Sequence, residues 1–146
     1  MDTKNKFRIL IANSGLDGHN APTLVLVYSL RDAGMEVIYS GLRQPPAVIV
    51  RTSIQEDVDL IGLSIFSGIH CEVADEVLKG LNQAGGGEIP VIMGGIIPEE
   101  DIAKLTAIGV RQVFLPGTPI RTIIESIANI LAATPQAQGG ISYGER

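Results

Sequence analysis

The chain has 146 residues, enough for one domain with its own core, and 45% of them are hydrophobic but only 4% aromatic. The net charge is −5 and the basic residues are scattered, so nucleic-acid binding has no electrostatic support. One cysteine excludes an internal disulfide framework and a CxxC zinc cluster, and every apolar run ends before the roughly 18 residues of a membrane span. The first residues lack the apolar segment of a signal peptide, so a cytoplasmic location is expected.

Five strand–helix units follow one another along the chain. The strands are predicted at 7–13, 36–40, 59–66, 91–94 and 112–116. The helices are predicted at about 22–33, from 46 onward, and at about 72–84, 98–108 and 120–132. Pro22 suits a first helical turn, and Gly34 and Gly109 suit the position just after a helix end. Residues 1–133 are therefore predicted as one domain, and 134–146, rich in Gly, Gln and Pro, as a flexible C-terminal tail.

Strict alternation of strands and helices predicts an α/β fold with a parallel sheet covered by helices on both faces. The aliphatic, aromatic-poor composition suits the buried strands of such a sheet. For five strands the expected arrangement is flavodoxin-like (Rossmann-like), in the order 2-1-3-4-5. Ligands of such sheets bind beyond the carboxyl ends of the strands, around the gap between the first and third strands.

Four loops at that edge share a composition rich in Gly, Ser or Thr. They are "SGLDGHNAP" after the first strand, "SGIH" after the third, "GGIIPEE" after the fourth and "PGTPI" after the fifth. Each alone is an ordinary strand-to-helix turn. Together they indicate a ligand site, because glycine lets a ligand approach the backbone and helix N-termini offer N–H groups.

Both histidines of the chain lie in these loops, and Asp17 stands two residues before His19. A carboxylate bonded to one imidazole nitrogen fixes the tautomer and directs the other nitrogen outward, as in metal-bound histidines. One histidine does not hold zinc, but it can be an axial ligand to a metal held in a macrocycle. A general base and a solvated loop residue are the other interpretations of His19. We interpret His70 as a surface residue and its neighbour Cys71 as buried.

The loop "GLDGHNAP" resembles the D-x-H-x-x-G loop of cobalamin-binding domains of the methylmalonyl-CoA mutase type. "GLSIFSG" resembles the S-x-L segment of this family, "IMGGIIPEED" its G-G-x-x-P turn and "FLPGTPI" its loop after the fifth strand. The flanking text "LRDAGMEVIYSGLRQPP" is similar to the acyl-CoA mutase branch, including 2-hydroxyisobutyryl-CoA mutases. The resemblance covers about residues 7–131.

The resemblance implies a role for particular residues. His19 would be the lower axial ligand to cobalt, and Asp17 its hydrogen-bond partner. The nucleotide tail of the cofactor would lie between the first and third strands. The cofactor-binding residues that it implies, beside His19 and Asp17, are Gly15, Gly18, Asn20, Ser64, Phe66, Gly94, Gly95, Gly117 and Thr118.

The function implied is that of a cobalamin-binding small subunit of an adenosylcobalamin-dependent acyl-CoA mutase, which isomerises a carbon skeleton through radicals. The acyl-CoA would bind a separate large (β/α)₈-barrel subunit, in an assembly such as a heterotetramer, because 146 residues are too few for a barrel of about 250. No residue of this chain is expected to be catalytic by itself.

The sequence departs from the family pattern within the loop itself and just before it. Asn20-Ala21-Pro22 stands where Asp-Arg-Gly is usual, so Pro22 takes the last position of D-x-H-x-x-G, and Asn13 stands where a lysine is common. Pro22 and Asn13 support the alternative of a flavodoxin-like regulatory or carrier module that has lost or altered cobalamin binding. A phosphoryl-receiver domain is less consistent with the sequence, since no acidic pair ends the first strand and no lysine follows the fifth. A flavin-binding flavodoxin is also less consistent, since its Ser/Thr-rich phosphate loop is missing.

Overall fold

The structure, a computed structural model, describes residues 7–13, 21–41, 44–65 and 68–133, with the side chains of residues 21 and 22 excepted. Five strands and five helices alternate within these ranges. The strands are β1 (Arg8–Asn13), β2 (Glu36–Tyr39), β3 (Leu60–Ile65), β4 (Val91–Gly95) and β5 (Gln112–Phe114). The helices are α1 (Ala21–Asp32), α2 (Pro46–Gln55), α3 (His70–Gln83), α4 (Glu99–Ile108) and α5 (Ile120–Ala133).

All four strand pairings are parallel, and the order is β2-β1-β3-β4-β5. The predicted fold class and strand order are therefore confirmed. The largest differences at element boundaries are two residues: α3 begins at His70, before the predicted start at 72, and β5 ends at Phe114, before the predicted end at 116. Pro22 lies in the first turn of α1, as expected. The predicted tail, residues 134–146, lies outside the described residues.

Helices cover the two faces of the sheet and form two apolar layers with it. On one face α2, α3 and α4 pack on side chains such as Leu63 and Met93, which are essentially inaccessible to solvent. On the other face α1 and α5 pack on Ile9, Ile11 and Ile92. The strands are thus buried on both sides, as near-continuous apolar runs require.

Glycine is required by the backbone at particular turns. Gly34 and Gly109 have φ values of 95° and 127° and follow the ends of α1 and α4, as the sequence predicted. Gly95 ends β4 with φ 147°, and a Cβ there would overlap the carbonyl oxygen of Ile65. The turn after β4 therefore lies so close to the backbone at the end of β3 that no side chain fits between them.

Within the described ranges, no helix combines the length and the apolar character needed to cross a bilayer.

Candidate cofactor site at the carboxyl edge of the sheet

A cavity of about 290 Å³ lies at the carboxyl ends of β3, β4 and β5, with Ile11 of β1 at its border, on the sheet face that α1 and α5 cover. Its walls are mainly apolar, with contributions from Ile11, Leu26, Ile92, Phe114 and Ile123. The cavity is therefore next to the gap between the first and third strands, where the topology predicts a ligand.

The cavity exists because one row of the sheet lacks a side chain at its centre. Asn13, Ser64, Gly94 and Phe114 are aligned across β1, β3, β4 and β5. A Cβ at Gly94 would meet only the backbone oxygen of Phe114, at 3.7 Å, so the space above this residue is open. The glycine in β3 does not open the cavity in the same way, because a Cβ at Gly62 would lie 2.7 Å from the side chain of its neighbour in β1.

Four polar side chains form a continuous hydrogen-bonded chain beside the cavity. The Tyr39 hydroxyl donates to Asn13 Oδ1 at 2.9 Å, and Asn13 Nδ2 donates to Thr23 Oγ1 at 3.3 Å. Thr23 Oγ1 lies 2.7 Å from Ser64 Oγ. Asn13 and Thr23 are buried, so each needs the partners that these hydrogen bonds provide. The hydrogen-bonded side chains connect β2, β1, α1 and β3.

The groups themselves fix the direction of the first two hydrogen bonds. The Tyr39 hydroxyl and the Asn13 amide nitrogen donate, so Thr23 Oγ1 accepts from Asn13. Between Thr23 Oγ1 and Ser64 Oγ either hydroxyl can donate, since a hydroxyl oxygen can accept two hydrogen bonds. Ser64 lines the cavity, and these bonds place its hydroxyl on a mainly apolar wall.

The loop after β5 closes the cavity on another side. The Thr118 hydroxyl donates to the carbonyl oxygen of Leu115 at 2.6 Å, and its backbone N–H donates to the same oxygen at 3.2 Å. Gly117 has φ 91°, which this tight turn requires, and a Cβ there would contact nothing within 4 Å. Both residues line the cavity.

The structure brings part of the predicted site together. Five of the predicted residues line the one cavity: Ser64, Gly94, Gly95, Gly117 and Thr118. The other six predicted residues lie outside the described residues: Gly15, Asp17, Gly18, His19, Asn20 and Phe66. Their roles stay predictions.

Sequence reasoning missed Thr23 and Tyr39, and it treated Asn13 only as the loss of a charge. Asn13 is instead a buried member of the hydrogen-bonded chain, bonded on both sides of its amide. The signal available in the sequence was a polar residue at the end of the apolar run "RILIAN". Its partners are 10 and 26 residues away, so only the fold identifies them.

The interpretation of His70 as a surface residue is wrong. His70 is 5% exposed, and its Nε2 lies 2.7 Å from Asp101 Oδ2. The reason is that α3 begins at His70 itself, which turns the ring toward the first turn of α4. The neighbouring Cys71 is only partly buried.

Comparison with known proteins identifies the family. The family model for the B12-binding domain matches residues 7–125. The chain belongs to the B12-binding domain family. The matched segment includes β1 to β5 and the loops that the resemblance singled out.

Two relatives of this B12-binding domain are separate small subunits. It is 48% identical over 126 residues to the 2-hydroxyisobutanoyl-CoA mutase small subunit of Aquincola tertiaricarbonis, covering 86% of this chain and 93% of the relative. It is 39% identical over 120 residues to the pivalyl-CoA mutase small subunit of Xanthobacter autotrophicus, covering 82% and 80%. Among solved structures, a cobalamin-binding protein from Desulfitobacterium hafniense has the same fold, with a TM-score of 0.74 and 19% identity. That match covers 86% of this chain and 59% of the other.

Proposed function

We propose that this chain is the cobalamin-binding small subunit of an adenosylcobalamin-dependent acyl-CoA mutase. The observation that carries the proposal is the 48% identity to a mutase small subunit, over 93% of that relative's length. The family match and the cavity at the switch point of the sheet support the same conclusion. An acyl-CoA would then bind a large partner subunit, and the two would assemble as a heterotetramer.

The described residues fit one part of the cofactor. At about 290 Å³ the cavity is at the lower limit of the roughly 300–1,000 Å³ of ligand pockets, too small for a whole cobalamin. Its apolar walls and the Ser64 hydroxyl suit the nucleotide tail, which carries a flat, mainly apolar base. We therefore assign Ser64, Gly94, Gly95, Gly117 and Thr118 to the binding of the tail.

We assign the lower axial cobalt ligand to His19, with Asp17 as its hydrogen-bond partner. Both lie in the segment that connects β1 to α1. The described residues on either side of it are hydrogen-bonded to each other, Asn13 to Thr23, and Thr23 is bonded to Ser64. This connection supports the assignment, because β1 and α1, between which Asp17 and His19 stand in the sequence, meet beside the cavity in which we place the tail. Gly15, Gly18, Asn20 and Phe66 would complete the contacts around it.

This assignment divides the tasks of chemistry and binding between the cofactor and the protein. Adenosylcobalamin supplies the radical chemistry of such mutases, and the protein supplies binding and orientation. With the cofactor bound, the Ser64 hydroxyl would form a hydrogen bond with the tail, the apolar walls would exclude water from its base, and His19 would coordinate the cobalt. None of these residues acts on an acyl group, so the chain is incomplete as a catalyst without its partner.

The test is a titration of the purified chain with adenosylcobalamin and hydroxocobalamin, followed by absorbance. We expect the spectrum of histidine coordination with the tail base displaced, and we expect His19→Ala to remove it. His19→Gln is a second variant that keeps a polar side chain of similar length. Absence of cobalamin binding, or binding with a spectrum unchanged in both variants, would favour the regulatory or carrier module. Co-purification with the large subunit then tests the assembly.

A further inference from the structure

Three side chains with metal-binding atoms lie together on the sheet face opposite the cofactor cavity. His70 and Cys71 are the first two residues of α3, and Asp101 lies in the first turn of α4. One ligand atom from each falls within 4.8 Å of the others. Cys71 packs against the core layer that α2, α3 and α4 share, whereas the cavity lies under α1 and α5. The cluster is therefore separate from the cofactor site.

The histidine of this cluster is buried, with one ring nitrogen directed at the carboxylate. His70 is 5% exposed, and its Nε2 lies 2.7 Å from Asp101 Oδ2. Its Nδ1 has no hydrogen-bond partner among the residues that the structure describes, and a metal bound at Nε2 would leave Nδ1 as it is. The convergence of the three ligand atoms is therefore what indicates a metal site.

We propose that His70, Cys71 and Asp101 form a binding site for a divalent metal ion of the zinc class. Nitrogen, sulfur and oxygen are the donors that zinc takes in proteins, and three protein ligands leave a fourth position for water. Bond lengths of about 2.0–2.3 Å at tetrahedral angles put ligand atoms about 3.5 Å apart. On metal binding, the 2.7 Å distance from His70 Nε2 to Asp101 Oδ2 would increase to this value. Distances between ligand atoms that are now longer, up to 4.8 Å, would decrease to it through rotation of the half-buried Cys71 and Asp101 side chains.

The binding step is balanced by the loss of one proton. The thiol of Cys71 releases its proton to solvent as its sulfur bonds to the metal, and the imidazole binds through one ring nitrogen. No electron is transferred. The bound ion would join the N-termini of α3 and α4, which follow β3 and β4 directly.

The composition of the chain makes the test specific. Cobalt(II) replaces zinc in such sites and shows a sulfur-to-cobalt charge-transfer band when a thiolate is bound. Because the chain has one cysteine, any such band in the full-length, cobalamin-free protein reports Cys71. We expect the band on titration with Co²⁺, its loss on adding Zn²⁺, and its absence in Cys71→Ser.

Variants separate the site from other binding. Asp101→Asn should weaken Co²⁺ binding by at least about tenfold, since even groups beyond the direct ligands change metal affinity by roughly 10–100-fold. His19→Ala removes the other histidine and should leave the band unchanged.

Circular dichroism verifies that each variant is folded. Asp101→Asn is used because substitution of the buried His70 can unfold the chain. No charge-transfer band, or a band whose midpoint is the same in Asp101→Asn, would overturn the proposal. Because cobalamin is absent from these titrations, their outcome is independent of the proposed mutase function.

Discussion

Replacing Gly94 by valine should close the cavity without damaging the fold. The position lies in β4, and a Cβ there has 3.7 Å of clearance from its nearest neighbour, the backbone oxygen of Phe114. The two added methyl groups would extend into the space that we assign to the nucleotide tail. A glycine inside a strand costs about 0.5–1 kcal/mol relative to alanine, so we expect the free energy of unfolding to stay the same or to rise by about that amount.

The expected loss of affinity follows from the area that the tail base would bury. An aromatic group of comparable size buries about 150–250 Å². At about 25 cal/mol per Å² this is worth about 4–6 kcal/mol before the cost of ordering the ligand. We therefore expect Gly94→Val to weaken cobalamin binding by at least about 100-fold, or about 2.7 kcal/mol.

The assay compares two corrinoids on two variants. Cobalamin and cobinamide, which lacks the nucleotide, are titrated into the wild type, Gly94→Val and the matched control Gly94→Ala. Cobalamin binding should be lost in the valine variant and nearly retained in the alanine variant, whereas cobinamide binding should be the same in all three. Wild-type affinity for cobalamin in a folded Gly94→Val protein would show that the tail binds elsewhere, and would refute our assignment of the cavity.

Three further predictions test the framework around the site. Thr23→Val removes the hydroxyl between two polar partners and should lower the free energy of unfolding by about 1–3 kcal/mol in urea titrations, whereas Thr23→Ser should restore most of it. Gly95→Ala should cost more than about 2 kcal/mol in the same assay, because of the positive φ and the overlap with the Ile65 oxygen; a near-neutral effect would contradict the geometry. The hydrogen bond from His70 lowers the pKa of Asp101 below 3.8, so this pair should stabilise the protein above that pH and lose its effect as the pH falls through the lowered pKa. Melting temperatures of the wild type and Asp101→Asn should therefore differ at neutral pH and converge in acid; a constant difference would argue against the pair.

The fold could be predicted because its signals are local. Apolar runs of strand length, amphipathic helices and the glycines after α1 and α4 are each encoded within a few neighbouring residues. The parallel order then follows from the alternation of strands and helices, since few topologies satisfy right-handed crossovers. Once the parallel order is known, the loops after the strands are placed together at the carboxyl edge of the sheet. Ser64 in β3 is then placed beside Gly94 in β4.

What the sequence by itself determined was the fold, the edge of the sheet that carries the candidate site, and the family. What only the tertiary structure decided was which distant side chains are partners. Tyr39, Asn13, Thr23 and Ser64 come from four elements, and His70 and Asp101 are 31 residues apart. Hydrogen bonds of a few ångströms depend on how strands and helices pack, and periodicity along the chain does not record that packing. The same reason explains why His70, which the sequence placed in a glycine-containing loop, is buried: it begins α3, and its ring faces Asp101 in the first turn of α4.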